Sequence, residues 1–153
     1  MNRLKRLVPI MELAETKEKQ AAHDFGLSRQ KLDEAREGLS SLRSFRENYS
    51  ARFHQSGSKG LGVQQLSEYR AFLNRINGAI AEQEKVIQSR ESDVQVRKAA
   101  WENTHRYVLG LQKIIDRLRA DESRHVRQRE QVELDERAGR RFMGSRASLM
   151  ADS

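Results

Sequence analysis

The sequence predicts an all-α fold, a long antiparallel two-helix coiled-coil hairpin. Three observations predict it. Every seventh residue from Leu66 is apolar without a gap: Leu66, Leu73, Ile80, Ile87, Val94, Trp101, Val108, Ile115. A companion register runs Tyr69, Ile76, Gln83, Arg90, Arg97, Thr104, Leu111, Leu118, apolar at both ends and polar in the middle. Apolar residues averaging 3.5 apart put one narrow seam on a helix. A second heptad pattern precedes this one, and a Gly-rich stretch separates them. The two seams can cover each other only if the chain folds back there.

Taken in order, residues 1–8 read as a flexible N-terminus, and Pro9 suits the first turn of a helix because it lacks an amide proton. The first helix is expected over 9–54, with its seam at Met11, Ala14, Ala21, Phe25, Leu32, Ala35, Leu39, Leu42, Tyr49 and Phe53. Glu18, Ser28 and Arg46 break that seam. Gly26 and Gly38 weaken the helix by about 1 kcal/mol each relative to Ala. Residues 55–62 read as a turn, since three glycines in a polar stretch supply helix-stop chemistry. The second helix is expected over 63–137, so that 9–137 forms one hairpin. Its seam fails beyond Leu118, where Glu122, His125 and Arg129 take the inner positions. Residues 138–153, with Arg140, Arg141 and Arg146, read as a disordered basic C-terminal tail.

Composition bounds the function. The chain has 153 residues, 33% of them charged and 6% aromatic. Its mean hydropathy is -0.85. That suits helices whose only buried surface is a stripe. There is no cysteine, hence no disulfide or thiolate site, and a reducing cytoplasmic location is expected. No transmembrane run or signal peptide is read. A net charge of +7 would answer to nucleic acid, anionic lipid or an acidic protein surface.

No catalytic, cofactor or metal site is expected. Gly57-Ser58-Lys59-Gly60 has the wrong spacing for a Walker loop and no strand before it. The four histidines, His23, His54, His105 and His125, are far apart and lack an i, i+4 partner His or Cys. No pair of carboxylates and no Ser/His/Asp set sits where a pocket could form. Nucleic-acid binding is the rival reading. The arginines from Arg117 onward are largely balanced by Asp121, Glu122, Glu130, Glu133, Asp135 and Glu136, which weighs against it.

Two apolar surpluses remain. Near the bend, Phe45 and Phe72 lie one position off the seam, close to Leu42, Tyr49, Tyr69, Ile76 and Ala79. A two-stranded seam cannot bury them all, so they form either a partner surface or a small terminal core. At the other end, Leu4, Leu7, Ile10, Leu13, Leu111, Ile114, Ile115 and Leu118 make two strips where the first helix runs out.

The sequence resembles the flagellar type III export protein FliJ family over most of its length. The resemblance rests on Pro9-Ile10-Met11-Glu12-Leu13-Ala14-Glu15, on 39–49, on Tyr69-Arg70-Ala71-Phe72-Leu73-Asn74-Arg75-Ile76, and on Ala79-Ile80, Trp101 and Leu134-Asp135-Glu136. Injectisome stalk proteins are similar. The resemblance implies a non-enzymatic, cytoplasmic stalk, peripheral at the cytoplasmic face of the inner membrane. It would link the hexameric FliI-type export ATPase to the FlhA-type export gate membrane protein and assist export chaperones. Export-gate binding would fall to Leu42, Phe45, Tyr49, Tyr69, Phe72, Ile76 and Ala79. ATPase-ring binding would fall to Leu7, Ile10, Met11, Leu13, Leu111, Ile115 and Leu118. The chain departs from the family at Gly38, where a longer polar residue is common. A self-associating structural coiled coil, an injectisome stalk and a nucleic-acid-binding coiled coil are the alternatives.

Overall fold

The computed structural model describes residues 2–57, 60 and 62–151. It consists of two helices, α1 (Asn2–Gly57) and α2 (Val63–Ala151), with no strand among the described residues. The two pack against each other as an antiparallel hairpin, as the paired heptads require.

The connection is built on glycine. Gly60 has φ of +83°, a left-handed conformation that side chains with a Cβ rarely adopt. Its N–H donates to the carbonyl of Gly57 at 3.2 Å, closing the end of α1. Gly62 then caps α2. Its carbonyl accepts from Leu66 N–H at 3.2 Å, and its own N–H donates to Gln65 Oε1 at 3.3 Å. The first of these is the opening helical bond, and the second is half of a capping box, satisfying the N–H of the capping residue. Ser58, Lys59 and Leu61, within the expected turn, lie outside the described residues.

Both helices are longer than the periodicity indicated. α1 begins at Asn2, not Pro9, and ends at Gly57, not residue 54. Pro9 therefore lies inside the helix, where it removes one i→i−4 bond. The turn before it forms because Leu4 and Leu7 pack on Met11, Ala14, Leu111 and Ile115. That burial offsets the missing bond. At the other end α2 runs to Ala151, so residues 138–151, expected to be disordered, are helical. Once a helix is nucleated, each further residue adds a backbone bond for one residue fixed.

The chain divides into two compact units, Thr16–His105 and Met1–Glu15 with Arg106–Ser153. Within the first, Leu32, Ala35, Tyr69, Ile76 and Ile80 are buried. Phe25, Leu39, Leu42, Leu73, Ile87, Val94 and Trp101 flank them half-buried. Leu66, at the start of the unbroken register, stays 40% exposed. Arg36 with Glu91 and Arg43 with Glu84, each at 3.4 Å, tie the edges across the two helices. Both pairs are half exposed, so they set orientation more than stability. Within the second unit the core is Met11, Ala14, Leu111 and Ile115, with Leu4, Leu7 and Val108 against it. From Ser123 to Met150 every residue is exposed.

The seam breakers each have a partner. Glu18 Oε1 meets His105 Nδ1 at 2.7 Å. The buried Ser28 hydroxyl donates to the carbonyl of Phe25 at 2.7 Å. Arg46 donates to Asn77 Oδ1 at 3.0 Å. Gln83 donates from Nε2 to the carbonyl of Ala35 at 2.9 Å. This last contact explains Gly38, since a Cβ there would lie 3.1 Å from Gln83 Nε2. Gly38 leaves the space in which the glutamine amide reaches the opposite backbone. Arg90 and Arg97 solve the same problem by facing out: both are exposed, and Arg97 pairs with Asp93 at 3.6 Å on its own helix.

Pro9→Ala restores the missing bond and should raise stability by up to about 3 kcal/mol in denaturant titration. Gln83→Ala should cost about 1 kcal/mol. Gly38→Leu, which displaces the same amide, should be strongly sub-additive with it in a double-mutant cycle.

Candidate docking surfaces

Near the bend, α1 carries Phe45, Tyr49 and Phe53 at i, i+4 and i+8, which places three rings on one face. α2 answers with Phe72 and Tyr69. Phe45 meets Phe72 edge to face at 5.6 Å between centroids. Phe72 lies 3.9 Å from Tyr49. Tyr69 stacks on Phe53 at 3.7 Å and on Tyr49 at 5.9 Å. The Tyr69 and Ser50 hydroxyls are hydrogen-bonded at 2.7 Å, which satisfies the one polar atom this ring brings inside. The result is a continuous ladder of five rings.

The structure divides the sequence-derived set at the bend. Tyr69 and Ile76 are buried at 9% and 7% exposure and hold the hairpin together. Leu42, Tyr49 and Phe72 are half-buried and show an edge. Phe45, 56% exposed, and Ala79 face outward. The cluster is thus a core on its inner side and a displayed surface on its outer side. Phe53 was read as seam alone and belongs equally to the ladder. The 3.6-residue stripe Phe45, Tyr49, Phe53 was the signal, masked by reading in sevens. A shallow groove of about 280 Å³ beside it is lined by Tyr49, Arg52, Phe53, Ser56, Gln65 and Glu68.

The second set divides likewise. Met11, Leu111 and Ile115 are buried in the unit's core. Leu7 and Leu118 are half-buried. Ile10 and Leu13, at 43% and 57% exposure, point away. Val8, Leu109 and Ile114 are also exposed apolar residues of this unit, and the seam reading had not singled out Val8 or Leu109. A groove of about 300 Å³ opens where the core stops, between Arg3, Leu4, Leu118, Glu122, His125 and Arg129.

A third cluster, unforeseen in the sequence, lies around His105. Its ring stacks on Trp101 at 5.1 Å and contacts Glu18. Trp101 lies 6.1 Å from Phe25, over which Arg29 sits at 5.6 Å. These residues join the two helices. Among the described residues no group of three or more His, Cys, Asp or Glu could hold a metal ion. No helix among them is long and apolar enough to cross a membrane.

These features define an antiparallel coiled-coil hairpin protein with a largely charged surface on which some apolar side chains are displayed. The family model for the flagellar FliJ protein matches residues 3–147, and the chain belongs to that family. It is therefore a component of flagellar type III protein export. No curated protein and no solved structure matches it.

Tyr69 tests the inner side of the ladder. Tyr69→Phe should cost about 1 kcal/mol through the lost Ser50 bond. Tyr69→Ala should cost about 3–5 kcal/mol through the cavity. Denaturant midpoints measured by circular dichroism separate the two.

Proposed function

We propose that the protein is a non-enzymatic stalk that couples a FliI-type export ATPase hexamer to an FlhA-type export gate, and that it assists export chaperones. It would work in the cytoplasm and at the cytoplasmic face of the inner membrane. The observation that carries this reading is the presence of two separate apolar displays, one in each compact unit. A coupling element needs two binding ends, and a chain with a single display would not serve. The outward side of the ring ladder, Phe45 with the edges of Leu42, Tyr49 and Phe72 and with Ala79, is the proposed gate-binding surface. Tyr69 and Ile76 support it from within. Ile10 and Leu13 are the proposed ATPase contacts, carried on the Leu7, Met11, Leu111, Ile115 and Leu118 core.

Aromatic side chains held in place by neighbours are typical anchors of an interface, and losing one commonly costs about 2 kcal/mol or more. Phe45→Ala should therefore weaken binding to the purified gate cytoplasmic domain at least about tenfold and leave the helical spectrum unchanged. Ile10→Glu with Leu13→Glu should abolish stimulation of ATP hydrolysis by the export ATPase and leave gate binding intact. Loss of both activities in either variant would point to a single interface and sink the coupling reading. A stable dimer at micromolar concentration that Phe45→Ala dissociates would instead identify a self-associating coiled coil.

A further inference from the structure

The end of α2 is not used by either surface above. Between residues 120 and 136 the arginines Arg124, Arg127 and Arg129 lie between acidic groups at Asp121, Glu122 and at Glu130, Glu133, Asp135 and Glu136. From Arg137 to Ala151 there is no acidic residue, and four arginines remain: Arg137, Arg140, Arg141 and Arg146. The segment is helical. At about 100° per residue, Leu134, Ala138, Phe142, Ser145 and Leu149 fall on one strip. Leu134, Phe142 and Leu149 are 58%, 68% and 74% exposed, so no other part of the unit covers this strip. Arg137 and Arg141 flank it on one side and Arg146 on the other. Arg140 lies on the far side and pairs with Glu136 at 3.7 Å. Asp135, at the edge of the strip's first turn, accepts from Gln131 at 3.2 Å.

A strip of Phe and Leu bordered on both sides by arginine, low in overall hydrophobicity and free of carboxylates from Arg137 to Ala151, is the chemistry of a helix that lies in a membrane interface. Duplex nucleic acid would use the arginines but has no use for the apolar strip. We propose that residues 134–151 form an interfacial helix that lays the Ala138, Phe142 and Leu149 strip into the headgroup region of an anionic membrane. Arg137, Arg141 and Arg146 sit at the lipid phosphates. This stands apart from the coupling reading, because it invokes neither the ATPase nor the gate.

The test is co-sedimentation of the full chain with vesicles, either of phosphatidylcholine alone or of equimolar phosphatidylglycerol and phosphatidylcholine. Binding is expected only with phosphatidylglycerol, and it falls as salt is raised. Arg137→Gln, Arg141→Gln and Arg146→Gln combined should weaken it roughly a hundredfold. Phe142→Ser with Leu149→Ser should weaken it more than about tenfold, with far-ultraviolet dichroism confirming that the hairpin is intact. Val96→Ser, an exposed apolar change elsewhere, should leave it unaltered. Absence of vesicle binding overturns the proposal, as does equal binding to both vesicle types. Displacement by duplex DNA that is insensitive to the Phe142/Leu149 change would also overturn it and identify a polyanion-binding tail.

Discussion

The hairpin depends on a stripe of apolar side chains too narrow for either helix to cover alone. Among the described residues no large side chain is completely buried. Stabilisation is instead spread along the seam, each position contributing at about 25 cal/mol per Å² of apolar surface removed from water. Such a structure has no deep core to absorb an error. A side chain on the inner face either packs against its opposite number or finds a polar partner within reach. That requirement explains the alternation of Ala and larger residues in α1: Ala14 and Ala35 let the backbones approach, and Met11 and Leu32 fill the space between.

The polar interruptions obey the same constraint. No buried side-chain nitrogen or oxygen among the described residues lacks a partner. Glu18 with His105, Arg46 with Asn77, and Gln83 with the Ala35 carbonyl each join α1 to α2. A seam of apolar residues alone would tolerate sliding by a heptad, since Leu or Ile recurs at every step. Moving one helix by a heptad would break all three joins at once and face Gln83 with a residue that has a Cβ. Polar seam residues are known to select register in this way at some cost in stability. Gly38 is the least expected part of this device. It weakens its helix locally, yet it permits the contact that fixes the offset.

How much of this was legible in the sequence depends on range. The seam was legible because heptad period is a local property, and Met11, Ala14, Leu32, Ala35, Ile76, Ile80, Leu111 and Ile115 are indeed on the inner face. The partners of Glu18, Gln83 and Arg46 were not, because pairing depends on an offset set by the turn rather than by nearby residues. Pro9 misled as a start signal: Leu4 and Leu7, on the turn before it, gain enough packing to carry the helix through. The tail misled for the opposite reason. Its glycines and clustered arginines read as disorder, yet α2 continues through them to Ala151, since each added residue of a formed helix needs no new nucleus. At the bend, reading in sevens left Phe45 beside the seam and could not decide between core and surface. The ring ladder is both, because Phe72 has one side against Tyr49 and the other toward Phe45.

That double role limits how a partner can use the bend. A saturated seam offers no space for an incoming side chain, so a partner must add to the flank rather than insert between the helices. Phe45 is suited to this. It projects, yet its edge-to-face contact with Phe72 restricts its rotamers before any partner arrives. Less side-chain freedom is then lost on association, which is the main means by which a small displayed surface binds tightly. The inner rings contribute without touching the partner, since Tyr69, stacked on Phe53 and Tyr49 and tied to Ser50, holds Tyr49 and, through it, Phe72 in place. A substitution at Tyr69 would loosen the display through its support, whereas one at Phe45 removes the displayed group and leaves the support standing.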